Sequence, residues 1–315
     1  MIAVTKKRTL SAQAKEMTQK PIVLTLGVTG QLGKLVADRL KDDKNISIRV
    51  CSRRHADLAD LNDKYGEAVH LDLDDPRTFY AALEGVSSLF LLTGYSVAML
   101  AQSKAIVDAA KRAGIKHIVH VGVFSVDENC YDAHFAWHQL VEVYIKHSGI
   151  SWTFLHPNCF MQNFTAFYGM VKDGKVKFYS EDKTLGWIAL EDVAEATAKI
   201  FSNPSEHAGR DYWFSTESAN ITELARIFSE VSDDQFSADP RSPDEFIKDM
   251  GIERSKLDPY FFGVEDCFKQ IVDGRMSYIG DVRDDLPMLI GRRGTSIKDW
   301  ANLHKSEFKA LAKRP

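Results

Sequence analysis

Pro21-Ile-Val-Leu-Thr-Leu-Gly27-Val-Thr-Gly30-Gln-Leu-Gly33-Lys-Leu-Val-Ala-Asp-Arg-Leu40 holds, in order, an apolar strand pattern, three spaced glycines and an amphipathic helix pattern. Ile22–Leu26 predicts a strand, and the apolar spacing across Leu32–Leu40 predicts the helix that leaves the turn. A strand, a glycine turn and a helix start suit a dinucleotide pyrophosphate. Gly27 permits the tight turn, Gly30 lets backbone approach the phosphates, and Gly33 lets helix and strand pack closely. The helix start adds unpaired N–H groups and a partial positive charge, so Thr29, Gln31 and Leu32 join the glycines as cofactor-binding candidates.

The alternation continues to about Pro157. Strands are expected at Ile46–Ser52, Ala68–Leu73, Ser88–Thr93, His117–Val123 and Trp152–Leu155. Helices are expected at Ala56–Tyr65, Pro76–Glu84, Val97–Arg112 (capped by Ser96, stopped by Gly114) and Ala133–His147 (ended by Gly149). Near-continuous apolar strands separated by helices imply an α/β fold, a doubly wound parallel sheet of the Rossmann type. Its ligand crevice lies outside the carboxyl ends of the strands. The expected organisation is an N-terminal arm over 1–20, a dinucleotide-binding Rossmann domain over 21–157 and a smaller, irregular substrate lobe over 158–315. Within that lobe Val176–Tyr179, Gly186–Leu190 and Asp211–Ser215 read as strands, and Glu191–Phe201 and Ile221–Val231 as helices. The strand and helix near 186–201 are expected to return to the Rossmann core. Ser232–Gln270 reads as polar and irregular, with Pro240 and Pro243 as breakers.

Composition narrows the function classes. The chain has 315 residues, 44% of them hydrophobic, and a net charge of −4, which disfavours a nucleic-acid binder working through a broad basic surface. No apolar run approaches the roughly 20 residues of a membrane span. Met1–Lys20 is basic, lacks the apolar segment of a signal peptide and reads as a solvated arm. Cys51, Cys130, Cys159 and Cys267 show neither a CxxC pair nor metal-finger spacing, so a reduced, cytoplasmic setting is expected. Cys51 reads as a small core residue, while Cys130 and Cys159 flank the presumed site.

The second strand ends Val50-Cys51-Ser52-Arg53-Arg54, where an NAD-preferring protein usually carries an acidic residue for the ribose hydroxyls. Two guanidinium groups and a serine suit the extra charge of an NADP 2′-phosphate, with Arg53 the first candidate because Arg pairs bidentately with phosphate. Asp72 and the neighbouring backbone of Leu73 are positioned for the adenine edge, and Asp74 and Asp75 for the next helix start. Thr93 and Gly94 follow the fourth strand, where a small residue lets the cofactor lie against backbone.

Together these residues resemble the NmrA-like branch of the atypical short-chain dehydrogenase/reductases. The likeness extends over most of Pro21–His304. It rests on the GxTGxxG turn, on His134-Phe-Ala-Trp-His138, on Ser148-Gly-Ile-Ser-Trp-Thr153 and above all on Leu155-His-Pro-Asn-Cys-Phe-Met-Gln-Asn-Phe164. Gly291-Arg-Arg-Gly294 followed by Ser296-Ile-Lys-Asp-Trp300 is similar to the family's closing segment. The resemblance implies a Rossmann core and NADP(H). It also implies either a reductase of quinones or related electron-poor aromatics, or a regulator that senses the NADPH/NADP ratio.

The chain departs from that pattern at one place. Typical short-chain dehydrogenases carry Tyr-x-x-x-Lys one helical turn apart, with a serine on the preceding strand end; the lysine grips the nicotinamide ribose and lowers the tyrosine pKa. Ser125 stands at a serine position, but the aligned pair here is His134-x-x-x-His138. Alcohol–ketone chemistry is therefore not expected. His138 is read as a contact to the nicotinamide ribose; His134 as a proton donor, a substrate contact or a satisfied helix-start residue; Tyr131 as a surrogate acid. His134 and His138 share a helix face that also suits a metal, but with only Cys130 and Glu142 nearby no third ligand appears at fixed spacing and none is expected.

Quinones and azo compounds accept hydride readily, and their products collect protons from water, so a tuned tyrosine matters less. A dry slot for a flat substrate is what they need. Phe124, Trp137, Phe160, Phe164 and Phe167 offer aromatic surface, and Asn158 and Asn163 are polar candidates for the nicotinamide amide or the substrate; Pro157 and Phe160 complete the cofactor set. The expected activity is NADPH-dependent reduction of a small, electron-poor aromatic by direct hydride transfer. A non-catalytic NADP(H) sensor with a protein partner is the alternative, and a biosynthetic imine or enone reductase a weaker one. A monomer or homodimer is expected, without direct nucleic-acid or membrane contact.

Overall fold

Ile22–Thr25 (β1), Ser47–Ser52 (β2), Ala68–His70 (β3), Val86–Leu91 (β4), His117–Val121 (β5) and Ser151–Pro157 (β6) alternate with Gln31–Leu40 (α1), Leu58–Tyr65 (α2), Phe79–Leu83 (α3), Met99–Ala113 (α4) and Ala133–Ser148 (α5). The structure is a computed structural model that describes residues 20–125, 132–165 and 170–312. Beyond Pro157 come Cys159–Phe160 (β7), Val171–Lys172 (β8), Lys175–Phe178 (β9), Leu185–Ile188 (β10), Arg210–Ser215 (β11), Glu217–Ala219 (β12), Ser237–Pro240 (β13) and Arg283–Asp284 (β14). Their helices are Leu190–Ser202 (α6), Ile221–Ser232 (α7), Phe246–Asp249 (α8), Pro259–Val272 (α9), Leu286–Ile290 (α10), Ile297–Leu303 (α11) and Lys305–Leu311 (α12).

Eight strands form one sheet in the order β14-β11-β6-β5-β4-β1-β2-β3, every neighbouring pair parallel except β11 with β14. The fold is the doubly wound Rossmann type. Strand order reverses between β1 and β4, and that switch point puts the crevice directly above the glycine turn. Alternate residues of each strand face opposite layers. Val23, Val50, Phe90, Val119 and Leu155 pack under α1 and α6, against Val36, Leu40, Val193 and Ile200. Leu24, Cys51, Leu89, Ile118 and Phe154 pack under α3, α4 and α5, against Leu83, Ile106, Ala110, Val141 and Ile145. Burial on both faces explains why these strands read as continuous apolar runs.

A third core fills the smaller lobe, where the Phe164 ring lies 4.5 Å from that of Trp187 and 5.0 Å from that of Phe228. Two three-stranded sheets, β12-β10-β7 and β13-β9-β8, stand around it. The strand expected at 186–190 pairs in the first of these rather than in the main sheet, while α6 lies against α1. Buried Asp192 of α6 ties down the late Gly291–Gly294 segment and its neighbour, accepting from Arg292 Nη2 at 2.7 Å and from the Thr295 N–H at 2.6 Å.

Residues 232–270, expected to be irregular, contain β13 and the long helix α9. Asp258 accepts from the Tyr260 N–H at 2.8 Å with Pro259 at the first helical position, a start signal the two nearby prolines concealed. Asp258 also accepts from Ser96 Oγ at 2.6 Å and the Val97 N–H at 3.1 Å, which draws Ser96 out of simple capping, and α4 begins only at Met99. No helix among the described residues is long and apolar enough to cross a membrane.

Candidate active site

The glycine turn forms a cradle at the carboxyl end of β1. Gly27 has φ +73°, in the left-handed region, and a Cβ there would meet Leu92 Cδ1 at 2.8 Å. The Gly30 N–H donates to the Gly27 carbonyl at 2.8 Å, closing the turn. A Cβ on Gly33 would fall within 3.0 Å of the Gly27 carbonyl and 2.6 Å from the Leu26 carbonyl oxygen, so helix and strand meet backbone to backbone. Among the described residues no side chain caps α1, and its first helical bond runs from the Lys34 N–H to the Gly30 carbonyl. The Gln31, Leu32 and Gly33 N–H groups therefore have no intrahelical acceptor. Gly27, Thr29, Gly30 and Gln31 are exposed at the mouth of this cradle, over buried Leu32 and Gly33. An anion fits it.

At the end of β2 the basic residues divide. Ser52 is buried and donates to Asp57 Oδ2 at 2.6 Å, and Arg54 pairs with both oxygens of the same carboxylate at 2.9 Å. These bonds, that of Ser52 first, hold the Asp57 carboxyl below its usual range. Arg53 is exposed, and its guanidinium makes no hydrogen bond or ion pair among the described residues. Asp72 and Leu73 are half-buried beyond β3, with Asp72 Oδ1 accepting from the Asp74 N–H at 3.0 Å. Asp75 accepts from the Arg77 N–H at 3.1 Å and so caps the next turn. Thr93 is half-buried and Gly94 exposed after β4.

Histidines and aromatic rings gather beside this crevice, where α5, β5 and α9 meet. His134 Nε2 lies 2.6 Å from Tyr260 Oη, and the Tyr260 ring packs 5.9 Å from those of Trp137 and Tyr95. His138 is buried, 5.7 Å from His134 and 6.1 Å from His120 between ring centres. His120 meets the Leu91 carbonyl through Nδ1 at 3.1 Å. Farther along, His156 has the Val123 carbonyl at 3.1 Å on one nitrogen and Asp211 Oδ1 at 3.0 Å on the other, with Glu142 Oε1 3.6 Å away. Its ring stacks 4.8 Å from Trp213.

Several expected site residues are occupied elsewhere. Phe124 and Phe164 are each 1% exposed in the small-lobe core and present no surface to a substrate. Buried Asn158 spends its amide on the Ile279 carbonyl at 2.9 Å and Ser215 Oγ at 3.3 Å, and its carbonyl on the Cys159 N–H at 2.9 Å. These bonds make Asn158 a strut from the end of β6 to the Ile279 carbonyl. Ser125 Oγ accepts from Gln139 Nε2 at 2.9 Å. Pro157 is buried, Phe160 and Asn163 half-buried. Cys130, Tyr131 and Phe167 lie outside the described residues. Tyr260, His120 and His156 escaped the sequence reading because their partners come from distant elements; Asp132 caps α5 locally through the Phe135 N–H, and only the Asp258-Pro259 start signal could have drawn attention to Tyr260.

Burial keeps four of the histidines, His117, His120, His134 and His138, uncharged near neutral pH. It holds His117, His120 and His134 down at about 4 and His138 well below its usual value. Burial pushes the carboxyls of Asp132 up to about 7 and of Glu142 up to about 6. Unfolded histidines titrate near 6.5, so between about 6.5 and 4 the unfolded chain takes up protons that the native one does not. The two carboxyls act oppositely, because the native chain keeps protons that unfolded carboxyls lose near 4. Four histidines outweigh the two carboxyls, so the unfolded chain binds more protons over this range and stability falls as the pH falls. Urea denaturation is expected to show stability falling steadily from pH 6.5 towards 4.5; a flat or rising profile would refute the neutral histidine cluster.

A model of the NmrA-like family matches residues 19–257. The NAD(P)H azoreductase of Xenophilus azovorans is 24% identical over 298 residues, which cover 92% of this chain and 100% of that protein. Quinone oxidoreductase 2 of Escherichia coli is 27% identical over 250 residues, 73% of this chain and 82% of that protein. The triphenylmethane reductase of Citrobacter sp. superposes with a TM-score of 0.74 at 26% identity, covering 91% of this chain and 99% of that one.

Proposed function

We propose, since this chain belongs to the NmrA-like family, that it is an NADPH-dependent reductase of small, electron-poor aromatic compounds such as quinones or azo compounds. The observation that carries the reading is the uncapped α1 start over Gly27, Gly30 and Gly33, with Arg53 just past the end of β2, its guanidinium unengaged among the described residues. The first suits a pyrophosphate and the second a 2′-phosphate. The names of two matching relatives, an azoreductase and a quinone oxidoreductase, support the substrate class.

When bound, NADPH supplies the hydride. The chain's own residues hold and orient. Gln31, Leu32 and Gly33 offer backbone N–H groups to the phosphates, Arg53 a guanidinium to the 2′-phosphate, and Thr93 and Gly94 a low wall at the switch point. His138, kept neutral by burial, is a hydrogen-bonding partner for the nicotinamide ribose rather than a cation. Tyr260 and His134 form the hydroxyl–imidazole pair closest in kind to the missing tyrosine and lysine. The reading includes a cytoplasmic setting and a small-molecule substrate.

The neutral His134–His138 pair favours a second reading, an NADP(H)-sensing regulator. NADPH oxidation followed against a panel of quinones, azo dyes and imines separates the two. Turnover with a quinone or azo compound is expected. Tight NADPH binding without turnover on any member of the panel transfers the case to the sensor.

A further inference from the structure

Asp132, His134 and Cys267 converge where the start of α5 meets α9, and one donor atom from each lies within 4.8 Å of the other two. Gly263 makes this approach close: a Cβ there would stand 3.1 Å from His134 Cβ. Asp132 is 0% exposed and Cys267 is buried. Asp132 Oδ1 accepts from the Phe135 N–H at 2.9 Å, but Oδ2 has no partner among the described residues. His134 Nε2 is taken by Tyr260, and its buried Nδ1 has none either. Two unpaired buried polar atoms at one sulfur-bearing junction suit a shared partner that accepts lone pairs.

We propose that Asp132, His134 and Cys267 bind a divalent transition-metal ion of the zinc type, through a carboxylate oxygen, Nδ1 and the thiolate sulfur. One oxygen, one nitrogen and one sulfur donor suit a borderline-soft ion and disfavour magnesium or calcium, which take oxygen alone. The carboxylate and thiolate together neutralise two positive charges, so the junction takes the ion up without net buried charge. Three protein donors leave a fourth tetrahedral position for water or an anion.

Coordination has a consequence for Tyr260. With Nδ1 on the metal, the hydrogen of the neutral ring sits on Nε2 and is donated to the phenol oxygen, fixing the tautomer. The phenolic hydrogen is then directed away from His134. The ion also joins α9 to α5 across the boundary between sheet and small lobe. It is a site the i, i+4 histidine spacing could not reveal, because His138 takes no part and Cys267 arrives from another element.

Titrating the full, reduced chain with Co²⁺ alone tests this without any nicotinamide cofactor, so its outcome is independent of the reductase reading. One Co²⁺ per chain is expected, with a sulfur-to-cobalt charge-transfer band that Zn²⁺ displaces. Cys267→Ser should remove the band and Cys159→Ser should keep it. Even outer-sphere losses weaken metal binding about 10–100-fold, so Asp132→Asn should cost at least about tenfold in Zn²⁺ affinity. X-ray absorption at the zinc edge of the wild-type chain reports the donors directly, whether or not the variants fold. One sulfur at about 2.3 Å among nitrogen and oxygen at about 2.0–2.2 Å is expected. Absence of binding, a band that survives Cys267→Ser, or any sulfur count other than one would overturn the site.

Discussion

Gly33→Ala is expected to abolish measurable NADPH binding and to lower the melting temperature by several degrees. Its Cβ meets backbone, the Gly27 and Leu26 carbonyls, and backbone cannot swing aside as the end of a long side chain can. Relief requires α1 to lift from the turn. Overpacking of this kind costs about 1–3 kcal/mol. The same displacement removes the Gln31, Leu32 and Gly33 N–H groups from the phosphates. Losing two charge-assisted bonds of about 1.5–3 kcal/mol each weakens affinity at least a hundredfold, by roughly 1.4 kcal/mol per factor of ten. Gly30→Ala is the control. Its φ of −97° is open to alanine, and its nearest neighbour, the Gly27 carbonyl oxygen, would stand 3.3 Å from the new Cβ. That variant should melt close to wild type yet bind NADPH more weakly, because the methyl group stands where phosphate approaches. Fluorescence titration and thermal unfolding read both quantities. If Gly33→Ala binds and melts as wild type does, the close helix–strand contact is not what shapes the cradle.

The second large effect concerns the choice between the two nicotinamide cofactors. Arg53→Ala should weaken NADPH binding by tenfold to a hundredfold and leave NADH binding nearly unchanged, since only NADPH carries the 2′-phosphate; this is about 1.5–3 kcal/mol. Arg54→Ala should do less. Its guanidinium is already paired with Asp57, and a phosphate has to compete with that carboxylate. Parallel titrations of the two variants with both cofactors decide the matter. Equal weakening towards NADPH and NADH in Arg53→Ala, or a larger loss in Arg54→Ala, would remove Arg53 from the 2′-phosphate.

How far the sequence could be read followed the range over which each feature is encoded. The β1-turn-α1 unit was legible to within a residue at its ends because neighbours in the chain encode it: an apolar run, spaced glycines and an amphipathic helix pattern. The basic end of β2 was legible as chemistry, but not the division of labour within it. Asp57 is what holds Ser52 and Arg54, and its part depends on how the chain turns after β2. In the small lobe the reading failed at particular residues. Phe124, Phe164 and Asn158 carry the right chemistry near the right strand ends. The core around Trp187 and Phe228 claims the two rings, and the Ile279 carbonyl claims the amide. Helix α9 was missed because Pro240 and Pro243 suggested a broken segment, whereas Pro259 opens a helix.

By itself the sequence determined a Rossmann sheet and a tight glycine turn, since local periodicity and turn chemistry leave few other ways to fold Pro21–Leu40. It also determined that His134 and His138 stand one helical turn apart. Only the tertiary structure decided what surrounds those histidines. Tyr260 and Cys267 reach His134 from α9, and His120 reaches His138 from β5. Residues far apart in the chain become neighbours only through packing, and a buried imidazole takes its charge and tautomer from such neighbours.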